Sequence, residues 1–369
     1  MKVKRKLSSL CIFLVAIFSF TLLPAYAEQE HLPYVIESGY GSLRITSSPA
    51  GADVYADDIF ASKTAPCTIL LPVGKHDIRL VIPGYETCSE TVMIEEGKEH
   101  VLKSILLPEL PEAMTIIVNT EEDHPERSND GIREQITVES LTGEITLRDA
   151  LIAVQNDSSD TAYRIDFAEN VDRIEFIKNE MYLVCSNLTI NGDRNRDGVA
   201  DVTFYASEGG LLFRPTANLR ICGLIFQGES PLAIRPVDYG TEDILFESIY
   251  VLGCEFQNPG LIAFGGACKT YNSRGSVGYS NINFCGNKVD SGDVFFSYSG
   301  NTDNSIADGI YYCANKLSSD SCMTVITADC NTWYIYGRDT FEGNGGTSGQ
   351  FETSDDNIVR NVSISGNNG

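Results

Sequence analysis

Short alternations of apolar and polar residues, broken by turn signals, run along most of the chain from residue 42 onwards. In residues 42–107, apolar positions such as Leu43 and Ile45 alternate with polar ones, and turns fall at sites such as Pro49-Ala50-Gly51. This pattern predicts a small antiparallel β-sandwich. The proline- and acid-rich run at 108–113 indicates a linker to a second module, 114–369.

The second module contains one segment with a helical pattern, EITLRDALIAVQND. Thr146 followed by Asp149 forms a capping box, and the apolar residues that follow fall on one face of a helix. The segment precedes all of the repeated strands described next. We therefore expect a single short amphipathic helix at the start of this module.

Six later segments each combine a strand, a small residue and a polar turn. Their small residues are spaced by 30, 33, 28, 23 and 29 residues and are Gly223, Gly253, Gly286, Ala314, Gly337 and Gly366. A period of this size indicates a solenoid. Neither a Leu-x-x-Leu-x-Leu frame nor a helical period recurs, so the short strands with Gly, Asn and Asp turns favour a parallel β-helix.

Stacked coils would place equivalent residues about 4.8 Å apart. We expect Cys222, Cys285 and Cys313 to form an internal ladder, and one residue of each pair Tyr311-Tyr312, Phe295-Phe296 and Trp333-Tyr334 to face inward. Stacked free thiols are favoured over disulfides for the cysteines of this module, Cys185, Cys222, Cys254, Cys268, Cys285, Cys313, Cys322 and Cys330. Cys67 and Cys88 are expected on neighbouring strands, either as a disulfide or as two buried thiols.

The N-terminus has the pattern of a secretory signal peptide. Four basic residues precede a long apolar run, and small residues at Ala25 and Ala27 predict cleavage after residue 27. Residues 1–27 are then the signal peptide, 28–41 a spacer, and no later segment is apolar enough to span a bilayer. We expect a secreted or cell-surface protein.

The negative net charge of the chain limits the classes of molecule that it can bind. The formal net charge is −24, and such a field repels nucleic acid and bare acidic polysaccharide unless a divalent cation bridges the charges.

The stretch NGDRNRDGVADVTF has the oxygen spacing of a short extracellular calcium loop. The candidate ligands are Asp193, Asn195, Asp197, the carbonyl of Val199, and Asp201. Affinity typical of extracellular sites would be about 0.1–1 mM. The alternative is a polar Gly/Asp/Asn corner, partly neutralised by Arg194 and Arg196.

Catalytic chemistry has little support in the sequence. All four histidines precede the repeats, which excludes a histidine nucleophile, a zinc site or a histidine acid in the groove of the predicted β-helix. Carboxylates near Asp303 and at Asp355-Asp356 could in principle act as a pair, and Arg214 and Arg220 could serve a lyase, but no further motif accompanies them.

The first module resembles the PEGA domain of bacterial surface proteins. The resemblance rests on Pro49-Ala50-Gly51-Ala52, Thr64-Ala65-Pro66, the turn Leu71–His76, and Gly84-Tyr85. It departs from the family at Ala50, where the name-giving motif has Glu. The resemblance implies an accessory module of the cell envelope without catalytic residues.

The second module resembles secreted β-helix proteins with a CSLREAI-type entry motif. The matching residues are Leu147-Arg148-Asp149-Ala150-Leu151 and Leu188-Thr189-Ile190-Asn191-Gly192, although Ile145-Thr146 stands where the motif has Cys. The resemblance implies a right-handed parallel β-helix of the pectin-lyase type with an N-terminal capping helix.

These expectations combine into an all-β surface protein. The favoured function is non-catalytic adhesion or binding of carbohydrate, cell-envelope or host-surface components, with bound Ca²⁺. The alternatives are a calcium-dependent polysaccharide lyase or glycoside hydrolase, and a structural stalk. Because the chain ends inside a repeat, we also expect further sequence beyond it.

Overall fold

The fold was analysed in a computed structural model. The structure describes residues 39–369 except 130, 178–180, 208–209, 229–230, 235–243, 258–260, 265–276, 291, 298–305, 318–320, 327–331, 337–346, 353–357 and 366–369. The signal-peptide region, Cys268, Cys330, Gly337, Gly366, Asp303 and Asp355-Asp356 lie outside the described residues. Strands dominate, with antiparallel pairing in the first module and mainly parallel pairing afterwards.

Seven strands build the first module. They are β1 (Tyr40–Ser48), β2 (Asp53–Ala56), β3 (Ile59–Thr64), β4 (Cys67–Pro72), β5 (Gly74–Val81), β6 (Cys88–Ile94) and β7 (Glu99–Ile105). They form two sheets, ordered β4-β1-β7 and β3-β2-β5-β6, over a shared apolar core that includes Leu43, Val54 and Leu80. Pairing is antiparallel except between β1 and β7, which run parallel.

The expected neighbourhood of Cys67 and Cys88 is wrong. Cys67 begins β4 in one sheet and Cys88 begins β6 in the other. Both are half-buried free thiols. The sequence places both residues on strands but does not say to which sheet each strand belongs.

His76 makes the first module sensitive to pH. Its Nδ1 lies 2.7 Å from Asp57 Oδ2 and its Nε2 lies 2.9 Å from the Pro72 carbonyl, so both nitrogens face acceptors. Burial opposes the charge, but the bonds to Asp57 and Pro72 outweigh it and raise the pKa of His76 above 6.5. The hydrogen bond from His76 lowers the pKa of Asp57 below 3.8.

The His76–Asp57 pair is expected to stabilise the fold most between about pH 4 and pH 6.5. The contribution of His76 is complete below its unfolded pKa and is lost as pH rises through the raised folded value. The contribution of Asp57 is complete above its unfolded pKa and is lost as pH falls through the lowered folded value. In urea denaturation the unaltered chain should lose stability between pH 6 and 8, whereas the His76→Gln variant should not. The same loss in both proteins would contradict the assignment.

The second module begins with strand β8 (Met114–Val118), three short 3-10 segments and helix α1 (Leu147–Asn156). Thr146 accepts a hydrogen bond from the backbone N–H of Asp149, and the Asp149 side chain accepts one from the Thr146 N–H, which confirms the capping box. The helix is buried at every residue from 147 to 154 rather than on one face only. The first two 3-10 segments bond to polar residues of the helix, namely Arg148, Asp149 and Gln155.

The remaining strands stack in register. They are β9 (Tyr163–Phe167), β10 (Arg173–Phe176), β11 (Met181–Asn191), β12 (Val202–Ala206), β13 (Leu211–Cys222), β14 (Leu224–Gly228), β15 (Leu232–Ile234), β16 (Ile244–Leu252), β17 (Glu255–Gln257), β18 (Leu261–Phe264), β19 (Val277–Cys285), β20 (Lys288–Val289), β21 (Gly292–Ser297), β22 (Ile306–Cys313), β23 (Lys316–Leu317), β24 (Ser321–Ile326), β25 (Thr332–Tyr336), β26 (Thr347–Glu352) and β27 (Ile358–Ser365). We call β9–β24 and β27 the ladder. Pairing within it is parallel, whereas β25 and β26 are antiparallel to their neighbours.

The interior of the ladder is a continuous apolar core. Ile221, Val251, Phe284 and Tyr312 pair in succession across one sheet and are all buried. The six-stranded sheet β10-β12-β14-β17-β20-β23 contributes a row of phenylalanine rings. The ring centroids of Phe204, Phe226 and Phe256 are 5.9 and 5.3 Å apart, which is the range of favourable aromatic contacts.

Asn287 and Asn315 satisfy buried backbone groups at successive turns. Asn287 accepts from the N–H of Cys254 and donates to the Val251 carbonyl. Asn315 repeats the arrangement with the N–H of Asn287 and the Phe284 carbonyl. Because an unpaired buried polar group costs free energy, each amide keeps one turn of the ladder intact.

The expected internal cysteine ladder is wrong in its direction. Cys222, Leu252 and Cys285 pair in register, but they pack into the apolar core of the first module rather than into that of the ladder. We call these three residues the outer row. Cys185, Cys222 and Cys254 are reduced, buried thiols as expected, whereas Cys285 is disulfide-bonded. Tyr312 faces inward, and Tyr311 packs against the first module.

Candidate functional site

The first module packs against a row of corners of the ladder that share one backbone conformation. The corner residues Gly223, Gly253, Gly286 and Ala314 follow strands β13, β16, β19 and β22. Their φ angles are 59°, 60°, 70° and 58°, in the left-handed region that favours glycine. We call them the corner turns. The small residues that reveal the repeat in the sequence are therefore the points where the chain turns from one sheet to the other.

Tyr85 of the first module is buried against the corner turns of the ladder. Its side chain is 3% exposed, and its hydroxyl donates to the Cys285 carbonyl at 3.1 Å. A Cβ at Gly286 would lie 2.2 Å from the Tyr85 oxygen, so only glycine leaves room for the ring here. Burial raises the pKa of Tyr85 well above its usual value, which keeps the hydroxyl as a donor.

Two arginines of the second module bind backbone groups of the first module and the linker. Arg220 donates to the Gly84 carbonyl at 3.1 Å, and its guanidinium lies 4.0 Å from the centre of the Tyr250 ring. Arg196 donates to Glu86 at 2.6 Å and to the Pro108 carbonyl at 3.2 Å. The contact between the modules thus has an apolar centre and a charged rim.

The acidic loop 193–201 forms a corner closed by its own hydrogen bonds. The Asp193 carboxylate accepts from the N–H groups of Asp197 and Gly198 at 3.1 and 3.0 Å. Asn195 and Asp197 are linked by further bonds, and Asp201 accepts from the Arg194 N–H at 2.8 Å. Val199 is exposed, and its N–H donates to Asp197. Hydrogen bonds thus link three of the predicted calcium ligands, Asp193, Asn195 and Asp197, whereas Asp201 is bonded to Arg194.

The environment of Asp193 in the loop disfavours its negative charge. Burial raises the pKa of Asp193, and the charges of Asp197 and Asp201 raise it further, against the two backbone N–H groups that lower it. Carboxylate and amide oxygens are the donors that calcium prefers. Among the described residues, however, no group of three or more His, Cys, Asp or Glu side chains is placed to hold a metal ion. Calcium binding here stays a prediction.

A second feature lies on the outer face of the ladder, where each strand bends before its corner. Asn187, Asn218, Ser248 and Asn281 have φ angles of 51°, 54°, 54° and 54°. Asn218 donates to Asn187 at 2.7 Å, and Asn281 donates to Ser248 at 3.2 Å. We call these four residues the polar row. It consists of two hydrogen-bonded pairs of polar side chains that follow one another along the ladder.

The polar row borders a hollow of about 300 Å³ under the linker. Its lining includes Pro111, Asn187, Asn218, Arg220 and Tyr250. Tyr250 accepts from Asn281 at 2.7 Å while Arg220 covers its ring. Amides, a guanidinium and an aromatic ring around one hollow can bind a polar ligand that has apolar faces.

Of the residues that the sequence offers for catalysis, only Arg220 has a side chain that the structure describes. Arg220 is held by Gly84 and Tyr250, and the side chain of Arg214 is not described. No histidine occurs in the sequence of the second module after His124. Within the described part of the chain, no helix has the length and hydropathy of a membrane span.

Comparison with known proteins assigns the first module. Residues 40–108 match the PEGA domain family. PEGA domains are typically found in extracellular or periplasmic proteins. No curated protein and no solved structure matches the chain.

Three of the residues that carry the PEGA resemblance, Pro49, Gly84 and Tyr85, lie at the contact between the modules. Pro49 and Tyr85 approach Gly286, and Gly84 lies against Tyr250 and Leu252. These residues mark the PEGA module in the sequence, and in the structure they form its docking surface on the ladder. The sequence gives no indication of this role.

Proposed function

We propose that the protein is a non-catalytic binding protein of the cell surface or a secreted one. Its second module acts as a right-handed parallel β-helix of the pectin-lyase type that binds carbohydrate or other envelope or host-surface components. The PEGA module is an accessory module in this proposal. The predicted signal peptide and the usual location of PEGA domains support export.

The hollow beside the polar row is the observation that carries the binding function. Glycans are bound by planar polar groups that meet their hydroxyls and by aromatic or apolar surfaces that meet their ring faces. Asn187, Asn218, Arg220 and Tyr250 supply both around one hollow. The polar row continues past the hollow, so a chain of sugar units would find further amide and hydroxyl groups along the ladder.

Retention and product release on a panel of plant, mucin and bacterial envelope polysaccharides test this function together. We expect the full chain to be retained by at least one polysaccharide without releasing sugars or unsaturated uronides. The Asn218→Gly variant should bind at least fivefold more weakly, because it removes an amide while keeping the left-handed backbone.

Asp58→Gly is the matched control for Asn218→Gly. Asp58 has a φ of 64° and lies in the PEGA module at a turn between β2 and β3. The affinity of the Asp58→Gly variant for polysaccharide should equal that of the unaltered chain. Release of products that stops on chelation would replace the binding function with a calcium-dependent lyase or hydrolase.

We further propose that the acidic loop binds Ca²⁺ and that the ion stiffens this corner. With a dissociation constant of about 0.5 mM, 5 mM Ca²⁺ should raise the free energy of unfolding by about 1.4 kcal/mol. Denaturation with Ca²⁺ and with chelator measures this difference. Asp197→Asn should abolish it and Asp58→Asn should retain it, whereas an equal free energy with and without Ca²⁺ would contradict the site.

A further inference from the structure

A larger cleft of about 440 Å³ lies between the PEGA module and the corner turns. Pro49, Leu106 and Pro108 form an apolar wall on the PEGA side. The opposite wall is formed by residues that directly follow the corner turns, including Lys288 and Lys316. The cleft is separate from the hollow under the linker, with which it shares no lining residue.

Charged residues are stacked along the ladder wall of this cleft. Glu255, Lys288 and Lys316 occupy paired positions on strands β17, β20 and β23. Paired positions lie about 4.8 Å apart, and like charges placed opposite each other destabilise a sheet. The two stacked lysines therefore repel each other unless an anion lies nearby.

The two lysines differ in how their charge is balanced. Lys288 lies 3.0 Å from Asp290 and 3.4 Å from Glu255, and the bond to Asp290 is the main cause of its raised pKa. Lys316 is exposed, and no carboxylate of the described residues lies within ion-pair distance of it. One positive charge is thus left for a ligand.

We propose that the cleft binds the end of a glycan that carries a single carboxylate. This inference rests on the proposed carbohydrate-binding function and assigns it a second, charge-selective subsite. The carboxylate lies against Lys316, and a sugar ring face lies against the wall of Pro49 and Pro108. A volume of about 440 Å³ is within the range of small-ligand sites.

The charge of the protein limits the ligand to one anionic group. Asp193 and Glu255 also line the cleft, and the net charge is −24. An extended polyanion would be repelled by both. A single carboxylate matches the single unbalanced lysine.

Titration calorimetry of the full chain with a disaccharide that contains one glucuronic acid unit tests the proposal. We expect its binding to be at least tenfold tighter than that of the neutral glucose analogue and to weaken as salt is raised. Lys316→Gln should remove the tenfold preference. Lys75→Gln, which alters an exposed lysine near the start of β5 in the PEGA module, should retain it.

Each outcome decides between the cleft and the wider function. Equal affinity for the two disaccharides, no binding of either, or a preference that survives Lys316→Gln would overturn the cleft site. Retention on polysaccharides that depends on Asn218 would leave the general binding function intact in all three cases. A preference that depends on Lys316 without retention on any polysaccharide would support the cleft and reject the general function.

Discussion

Tyr85→Ala is expected to lower the free energy of unfolding by about 3–5 kcal/mol, the usual cost of truncating a fully buried large aromatic side chain. The ring fills the space above Gly286, and its hydroxyl is bonded to the Cys285 carbonyl. The loss arises at the contact between the modules because the outer row packs into the same apolar cluster as Tyr85. Urea denaturation followed by circular dichroism measures it.

Two further variants separate the contributions of Tyr85. Tyr85→Phe removes only the hydroxyl and should cost about 0.5–1.5 kcal/mol, since the Cys285 carbonyl loses this donor but keeps the Gly253 N–H. Tyr40→Ala truncates a tyrosine that is exposed at the start of β1 and should cost less than about 1 kcal/mol. If Tyr85→Ala cost no more than Tyr40→Ala, the PEGA module would not be docked as described.

Asp123→Ala is expected to cost about 3–5 kcal/mol because it leaves a buried arginine without its counter-ion. Arg148 binds both oxygens of Asp123, at 2.7 and 2.8 Å, and both side chains are 2% exposed. Asp123 also accepts from the Ile177 N–H, and Arg148 lies 4.1 Å from the centre of the Phe176 ring. The pair fastens helix α1 to the first turns of the ladder. Thermal and urea denaturation measure the loss.

Glu126→Ala is the matched control for Asp123→Ala, since Glu126 is an exposed acid of the same segment. It should change the free energy of unfolding by less than about 0.5 kcal/mol. The double variant Asp123→Ala, Arg148→Met removes both charges and should be more stable than Asp123→Ala alone. A double variant that is less stable than Asp123→Ala would show that Arg148 contributes mainly by packing.

The sequence pattern identifies much of the fold because local chemistry determines it. The strands, the Thr146 cap and the corner turns all follow from short-range preferences. The direction of the outer row could not be predicted in the same way. Alternation shows that Cys222 and Ile221 face opposite sides of a strand, but both sides are apolar here, since the PEGA module covers the second.

The polar row had a signal in the sequence. Asn187, Asn218, Ser248 and Asn281 each stand five residues before the glycine of the next corner, at Gly192, Gly223, Gly253 and Gly286. Such a constant offset, together with residues that tolerate left-handed φ angles, marks a second bend in every turn of the ladder. Aligning only the glycines conceals it.

The buried pair of Asp123 and Arg148 and the partners of the acidic loop could not be derived from the sequence. Asp123 is 25 residues from Arg148, and Glu86 is 110 residues from Arg196. Neither of these separations along the sequence follows from a local period. The contacts depend on how the PEGA module and the first turns of the ladder meet, which is a property of the tertiary fold.

The central claim is that the PEGA module covers the outer row and thereby forms one wall of the cleft. Cys222 tests it, because this reduced thiol is fully buried in the apolar core of the PEGA module, whereas the reduced thiol of Cys185 is buried in the interior of the ladder. Burial raises the pKa of both thiols, so neither should react quickly with an alkylating reagent in the native protein.

The decisive measurement is the alkylation rate of these two cysteines, read by peptide mass spectrometry, in the unaltered chain and in Tyr85→Ala. If the PEGA module covers Cys222, Tyr85→Ala should accelerate the modification of Cys222 at least tenfold and leave that of Cys185 nearly unchanged. If the variant accelerated the alkylation of both cysteines equally, or of neither cysteine, Cys222 would not be covered by the PEGA module.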